Sequence, residues 1–249
     1  MVQKYFLITL LCWMAIFPKV NGQERTTVKL NQHFQEIVDT DSVHHFYTKM
    51  ETLSKTGETV TWIFDLQNRM VKQSKKGLNP AENYNQEITE TFDSTNQLLS
   101  QRITNLDNRK YVEFHYRDGV KRAQVISLGN DLFEIWRNNP DSLYTSDHDD
   151  FGPGLDKKEW HNYLARNLKY PSEARNSRAE GTVILAILVN ENGEIEESEV
   201  ANEAFVNPYL AKEALRVLRM FNGKFAPAIN LEGQPEAKWI TIPIRFKLS

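Results

Sequence analysis

Two short clusters of histidine and aspartate are the segments of this sequence that could bind a metal ion. His44 and His45 are adjacent, and neighbouring residues of a strand point to opposite faces, so the pair cannot easily ligate one ion. Residues 147–150 (DHDD) lack the alternate spacing and the distal glutamate of a calcium-binding EF-hand loop, and Gly152 and Pro153 follow them. We therefore expect a solvated linker at this second cluster and no metal site in the chain.

The motifs of nucleophilic, metal-dependent and phosphate-binding catalysis are also missing from the sequence. It contains no HExxH, GxSxG or phosphate-loop pattern. Cys12 is the single cysteine, and its removal with the leader described below would exclude disulfides and thiol catalysis. The formal net charge of −3 shows no basic excess of the kind that nucleic-acid-binding proteins carry. The sequence therefore predicts a protein that is not an enzyme, needs no cofactor, and binds neither nucleic acid nor a small-molecule substrate.

Residues 1–22 have the organisation of a secretory signal peptide. Tyr5–Phe17 is a nearly continuous apolar run that Pro18 ends, and it is too short to span a bilayer comfortably. Val20 and Gly22 supply small residues at the positions that a signal peptidase reads. We expect export and cleavage after Gly22. An uncleaved inner-membrane anchor is the alternative.

Residues 23–150 repeat one sequence motif, in which a short strand ends on an aromatic residue, a turn with Asn or Gly follows, and a second strand begins. The aromatic residues that mark the copies are Phe64, Phe92, Tyr116 and Trp136. Regularly spaced hairpins predict a meander of antiparallel strands. The repeat resembles the hairpin repeats of MORN-like and antitoxin-like envelope proteins. A β-sheet spacer that binds no ligand is the alternative.

Residues 155–249 have the pattern of a small α+β domain. Asp156 and Glu159 form a capping box that begins a helix. Thr182–Val189 is apolar on both faces, as in a central strand, and the turn at Asn190–Gly193 leads into a returning strand. A capped amphipathic helix and a last strand follow. The fold class expected for the whole chain is α+β, with a meander of antiparallel β-hairpin repeats before an antiparallel three-stranded sheet and its packed helices.

The last strand alternates between two faces. One face carries Ile240, Ile242, Ile244, Phe246 and Leu248, and the other carries Trp239, Thr241, Pro243, Arg245 and Lys247. Pro243 cannot donate a ladder hydrogen bond, which indicates an edge strand, and an edge strand can accept a strand from a partner. The residues that we expect to contact a partner are Lys238, Trp239, Ile240, Thr241, Ile242, Pro243, Ile244, Arg245 and Phe246.

An ordered set of short motifs runs through the same domain. These motifs are Tyr170-Pro171, Ala174, Gly181, Gly193, the helix segment Leu210–Leu218, Phe225-Ala226-Pro227, Gly233-Gln234-Pro235 and Pro243-Ile244-Arg245-Phe246. Through this set the domain resembles the C-terminal domain of the TonB family. The positions that we interpret as structural parts of the motif are Tyr170, Pro171, Gly181, Gly193 and Pro227.

The resemblance implies a periplasmic protein of the Gram-negative cell envelope that catches an extended segment of an outer-membrane transporter by strand addition. In the energy-coupling members an inner-membrane helix transmits a pull, so an energy transducer is a further implication. This chain has no long proline-rich spacer, and its leader run contains no histidine. Two alternatives stay open, namely a non-transport envelope scaffold built from two binding modules and a homodimer formed through the same edge strand.

Overall fold

The computed structural model describes residues 25–41, 44–55, 57–138 and 141–248. The predicted signal peptide lies outside these residues. Within the described ranges, no helix is both long enough and apolar enough to cross a membrane.

A single antiparallel meander of ten strands forms the first part of the chain. Its strands are β1 (Arg25–Leu30), β2 (Tyr47–Leu53), β3 (Thr59–Asp65), β4 (Met70–Asn79), β5 (Tyr84–Phe92), β6 (Leu98–Asn105), β7 (Tyr111–Arg117), β8 (Val120–Gly129), β9 (Leu132–Asn138) and β10 (Asp141–Ser146). Each strand pairs with the next one along the chain, so the order in the sheet is the order in the sequence. The predicted meander is therefore confirmed, and most of its side chains are half-buried.

The hairpin turns explain why the sequence motif is repeated. The Asp65 carboxylate accepts hydrogen bonds from the backbone N–H groups two and four residues later, both at 2.9 Å, and Asn68 takes the left-handed conformation with φ +58°. Asp93 accepts the equivalent bonds at 2.7 and 2.9 Å, and Asn96 has φ +64°. Aspartate and asparagine suit these positions because a short polar side chain can bond its own turn and tolerate positive φ.

The second part of the chain is a compact arrangement of short helices and strands. Its elements are β11 (Gly154–Leu155), α1 (Lys157–Asn167), α2 (Ser172–Asn176), β12 (Gly181–Val189), β13 (Ile195–Val200), a 3₁₀ turn (Glu203–Phe205), α3 (Pro208–Arg219), β14 (Phe225–Ala226), β15 (Ala228–Ile229), β16 (Pro235–Glu236) and β17 (Lys238–Phe246). The main sheet is antiparallel in the order β13-β12-β17, while β11 pairs with β14 and β15 with β16. The expected α+β class is confirmed.

Local signals set the helix starts, and apolar faces set the packing. The Asp156 side chain accepts the Glu159 N–H at 2.8 Å to cap α1, and the Asn207 side chain accepts the Tyr209 N–H at 3.0 Å to cap α3. The apolar face of α3 packs on β12. Fully buried residues of this core include Val183, Leu185, Ile187, Val189, Leu210, Ala214 and Val217.

A buried carboxylate ties α1 to α3. Glu213 is only 8% exposed and accepts the backbone N–H of Lys169 and the guanidinium of Arg216, each at 2.7 Å. Arg216 also donates to the carbonyl of Asn167 at 2.8 Å, at the end of α1. Burial alone would raise the pKa of Glu213, but the hydrogen bonds from Arg216 and Lys169 outweigh it and lower the pKa below its usual value.

The motif residues occupy structural positions at the ends of elements. The Tyr170 hydroxyl donates to the Ala179 carbonyl, and its ring meets Phe246 edge-on with the ring centroids 5.9 Å apart. Pro171 directly precedes α2, and Gly181 begins β12.

The glycine of the β12–β13 turn is required by close packing as well as by its conformation. Gly193 has φ +77°, and a Cβ at this position would lie 2.1 Å from the Phe225 carbonyl oxygen. Any side chain would therefore displace the segment that leads into Pro227, which lies between β14 and β15.

The aspartate cluster before β11 is not the solvated linker that its composition predicts. Asp147 is exposed, but Asp150 and Phe151 are only 6% and 8% exposed. The Tyr144 hydroxyl donates to the Asp150 carboxylate at 2.6 Å. The prediction was wrong because these polar groups find partners inside the protein instead of water.

A buried arginine joins the two parts of the chain. Arg137 is 2% exposed, and its guanidinium lies 3.2 Å from the Asp150 carboxylate. The same guanidinium donates to the backbone carbonyls of Ile229 and Asn230, each at 3.2 Å. The Ile229 N–H in turn donates to the Asp150 carbonyl at 2.6 Å. Residues 147–154 are therefore held against both parts of the chain.

Candidate partner-binding site

The strand β17 lies at one edge of the three-stranded sheet, where it pairs with β12 along its whole length. Of its nine residues, Lys238, Thr241, Pro243 and Arg245 are exposed, Trp239 and Ile240 are half-buried, and Ile242, Ile244 and Phe246 are buried. The edge position and the two faces agree with the sequence pattern. Their role in contacting a partner stays a prediction.

The hydrogen bonds of β12 show which backbone groups of β17 point outward. The Ile184 carbonyl accepts the Ala201 N–H and the Ile184 N–H donates to the Asn202 side chain, both at 2.8 Å, so Ile184 directs its backbone toward β13. Ile184 stands opposite Pro243 in the ladder. Because backbone direction alternates along a strand, Pro243 and every second residue from it face away from β12. The residues that direct their backbone polar groups to the open edge are therefore Trp239, Thr241, Pro243 and Arg245.

The missing N–H of Pro243 falls on the open side of the sheet. The ladder with β12 therefore loses no hydrogen bond to the proline, which explains why β17 tolerates it. The open edge still presents the N–H and carbonyl groups of Thr241 and Arg245 and the carbonyl of Pro243. This is the set of donors and acceptors that an added strand would pair with.

The open edge of β17 borders a cavity of about 1210 Å³, which we call the edge cleft. The β17 residues that line it are Lys238, Ile240, Thr241, Ile242 and Pro243. The other lining residues include Arg102, Glu113, His115, Asp149 and Phe151, from the meander and the segment after it. The two parts of the chain thus share one cleft.

The charged groups in the wall formed by the meander are paired with one another. The Arg102 guanidinium donates to Glu113 at 2.7 Å and to Asp149 at 3.0 Å, and the Tyr111 hydroxyl donates to Asp149 at 2.5 Å. Burial raises the pKa of the Glu113 carboxyl above its usual value, although the Arg102 charge opposes this. One guanidinium therefore lies between two carboxylates and has little capacity for a further anion.

One histidine in this wall has an unused hydrogen-bonding atom. The His115 ring stacks on Phe151 with the ring centroids 3.8 Å apart, and its buried Nε2 has no hydrogen-bond partner. The Glu113 carboxylate oxygen lies 3.9 Å from Nε2, beyond hydrogen-bond distance. Burial lowers the pKa of His115 to about 4, so the ring is neutral at neutral pH and keeps one donor and one acceptor.

The meander also contacts the sheet of the second part directly. The Trp239 ring meets His33 edge-on with the centroids 4.6 Å apart, and the Asn31 side chain donates to the Ala201 carbonyl at 2.6 Å. The Lys238 ammonium donates to the Phe151 carbonyl at 2.6 Å. Two of the residues that we expected to contact a partner are therefore already engaged within the chain.

The residues that the meander contributes to the edge cleft were not predicted from the sequence. Tyr111, Glu113 and His115 alternate along β7 and so share one face, which was a visible signal of a polar inner face. Nothing in the local sequence shows that Arg102 and Asp149 meet there, since they come together only through the fold.

A comparison with known proteins identifies one part of the chain. No curated protein and no solved structure matches the chain. The family model described as Gram-negative bacterial TonB protein C-terminal matches residues 166–248, which contain β12, α3 and β17. Domains of this family mediate protein interactions in transport and are not enzymatic. The chain therefore carries a TonB C-terminal domain at residues 166–248, and this domain indicates a TonB-like protein of the Gram-negative cell envelope that is linked to transport.

Proposed function

We propose that the open edge of β17 catches an extended segment of an outer-membrane transporter, or of another envelope protein, by adding it as a further strand. The observation that carries the proposal is the direction of the Thr241, Pro243 and Arg245 backbones, which face away from β12. The edge cleft provides space beside them. Main-chain hydrogen bonds would supply much of the affinity.

An N-methyl scan of a bound peptide tests this proposal directly. Eight-residue peptides that tile the periplasmic segment of a transporter are titrated against the full chain, and the tightest binder is then N-methylated at one residue at a time. Strand addition predicts that methylation weakens binding at alternate positions only, because every second N–H of an edge strand faces its neighbour. A uniform response, or no response at any position, would contradict strand addition.

A substitution in β17 tests the same contact from the other side. Replacing Thr241 by proline removes one outward N–H, and we expect binding to weaken by roughly 0.5–1.5 kcal/mol, or more if the strand distorts. The matched control is Thr241→Ser, which keeps the N–H and should bind like the wild type. Equal affinities for Thr241→Pro and the wild type would show that the partner does not use this edge.

We further propose that the mature protein is periplasmic and begins at Gln23. This rests on the leader pattern of the sequence and on the envelope family of the domain. The intact mass of the protein from the periplasmic fraction checks it. Recovery of the full-length chain in the inner membrane would contradict cleavage and would favour the role of an energy transducer.

An envelope scaffold without transport is the second candidate function. The ten-stranded meander favours it, since the family match does not include this large sheet. A second copy of the chain is another occupant for the edge of β17. Light scattering tests this occupant, because a homodimer through β17 should become monomeric in Thr241→Pro, whereas a chain that does not pair with itself through this edge should remain unchanged.

A further inference from the structure

We propose that two copies of the chain form a dimer in which the outer faces of their meanders pack together. The TonB-like half lies against one face of the meander, where Leu231 packs on the cluster around Val125 and Ile135, and Asn230 accepts a hydrogen bond from Arg137. The opposite face, which we call the free face, is defined by two rows of side chains. This surface is separate from the edge of β17, so the inference does not depend on the proposed function.

The two rows follow from the register of the strands. Gln124 and Ile126 flank Val125 in β8 and therefore point away from the TonB-like half. Residues directly opposite one another on neighbouring strands share a face, so the pairing extends each of the two into a row. The first row, from β3 to β10, is Trp62, Gln73, Glu90, Gln101, Phe114, Gln124, Trp136 and Leu143. The second row is Val60, Lys75, Ile88, Ile103, Val112, Ile126, Glu134 and Thr145.

The free face is not covered by any other element of the described chain. All residues of the two rows are half-buried or exposed. Their hydrogen bonds and ring contacts stay within the meander, as in the bond from Gln101 to Glu90 at 2.8 Å and the Lys121 ammonium over the rings of Phe114 and Trp136. The face therefore keeps a broad apolar surface available for a partner.

The second row is complementary to itself in reversed order, and this identifies the partner as a second copy. A two-fold axis parallel to the strands, between β6 and β7, places each row over the same row of the other copy in the opposite order. Ile88 then faces Ile126 of the second copy, and Ile103 faces Val112 of the second copy. The four apolar side chains in the middle of the row thus meet one another.

The same axis also brings opposite charges together. Lys75 on β4 faces Glu134 on β9 of the second copy, and the symmetry repeats this pair. Among the residues that the structure describes, neither side chain has an ion pair or a hydrogen bond of its own. The two positions are five strand spacings apart in one copy, about 24 Å, so they cannot pair within the chain. In the first row, Trp62 faces Leu143 of the second copy, a leucine that is 65% exposed.

The free face is large enough for a stable dimer. Seven strands from β3 to β9, with five residues along each, cover about 34 Å by 17 Å, or roughly 600 Å² per copy. Two copies together bury roughly 1,200 Å², which reaches the lower end of stable protein interfaces. The axis keeps the strands of the two sheets aligned, as in a β-sandwich. Because the TonB-like half lies on the other face, both copies of β17 stay accessible in this dimer.

A charge-reversal cycle tests the dimer. Sedimentation velocity of the purified wild-type chain over a concentration series should show a species of twice the mass of one chain. Lys75→Glu and Glu134→Lys should each raise the Kd of the dimer about ten- to a hundredfold, because an attraction becomes a repulsion at two symmetric sites. The double variant Lys75→Glu/Glu134→Lys restores opposite charges, and its Kd should return to within about threefold of the wild type.

The matched control is a charge reversal on the other face of the same strand. Lys76 follows Lys75 in β4, and its ammonium lies 3.5 Å from the Glu87 carboxylate on the face opposite to the free face. Lys76→Glu makes the same change in charge, and the dimer should keep the Kd of the wild type. Circular dichroism of each variant checks that the fold is unchanged.

Three results would overturn the inference. The first is a wild-type chain that is monomeric at every concentration. The second is a dimer that does not respond to the single charge reversals, or that the double variant fails to restore. The third is a dimer that Thr241→Pro abolishes, because that result assigns the contact to the edge of β17.

Discussion

The two halves of the chain bury their side chains in different ways. In the TonB-like half, α3 covers β12, and residues such as Leu185 and Val217 are fully buried. In the meander, ten strands form one layer, and a small buried cluster lies around Val125 and Ile135. Phe151 belongs to this cluster and Leu231 of the TonB-like half packs against it. The difference teaches that one half carries its own core, whereas the other depends in part on the contact between them.

The largest expected effect comes from breaking that contact. Replacing Arg137 by alanine leaves the buried Asp150 carboxylate without its arginine partner and removes the hydrogen bonds that Arg137 donates to the Ile229 and Asn230 carbonyls. We expect a loss of about 3–5 kcal/mol in the free energy of unfolding, measured by urea denaturation. The control is Arg117→Ala, which removes an exposed ion pair to Glu232 across the same boundary and should cost less than about 1 kcal/mol. Similar losses in both variants would contradict the dependence of the meander on this contact.

The second prediction compares the two kinds of packing. Leu185 is fully buried in the two-layer core, and its replacement by alanine should cost about 2–5 kcal/mol. Ile103 is half-buried in the single-layer meander, and the same truncation should cost less than about 1.5 kcal/mol. Urea denaturation of the two variants provides the measurement. Equal losses would mean that the meander is packed as tightly as the TonB-like core.

The third prediction concerns how the free energy of unfolding depends on pH through His115, a residue that lines the edge cleft. The pKa of His115 is about 4 in the folded chain, below its usual value, so the unfolded chain binds a proton more readily than the folded one. Stability should therefore be complete above pH ~6.5 and fall by up to about 3 kcal/mol as the pH approaches ~4. His115→Phe should flatten this part of the profile. An unchanged profile in that variant would show that His115 is accessible to water.

The smallest effect is expected inside the TonB-like half. Glu213→Gln removes a carboxylate whose pKa lies below its usual value, so the contribution that it makes is present above about pH 4.5 and is lost as the pH falls further. At neutral pH we expect a loss of about 1–2 kcal/mol in thermal or urea unfolding, because the charge-assisted bonds to Arg216 are weakened. Glu196→Gln, at an exposed position of β13, is the control. An equal loss of stability in the control variant would contradict a stabilising role of the buried Glu213–Arg216 network.

The TonB-like half was predictable because its signals are local. Asp156 and Asn207 cap the helices that their positions predict, and the alternation on both sides of Pro243 gives the faces of β17. Each of these features depends on residues within a few positions of one another. Which N–H groups of β17 point outward could not be predicted from the sequence. Their direction follows from the hydrogen bonds that Ile184 of β12 makes on the β13 side of the sheet.

The edge cleft was not predictable because the residues that meet in it are distant in the sequence. Arg102 and Asp149 are far apart in the sequence and meet only because four consecutive hairpin connections place β6 and the segment after β10 together. The aspartates of residues 147–150 were misinterpreted because polar composition predicts exposure on average. Here the partner that buries Asp150 is Arg137, which lies in an ordinary strand of the repeat.

The proline of β17 has a consequence for the association of one chain with another. An edge strand that presents all of its outward N–H and carbonyl groups can template open-ended growth, in which one chain after another adds to the sheet. Pro243 places a gap in the row of donors two residues from either neighbouring outward N–H. A long flat ladder is thereby interrupted, while a short segment still finds donors at Thr241 and Arg245. This interruption makes the edge less able to seed an aggregate.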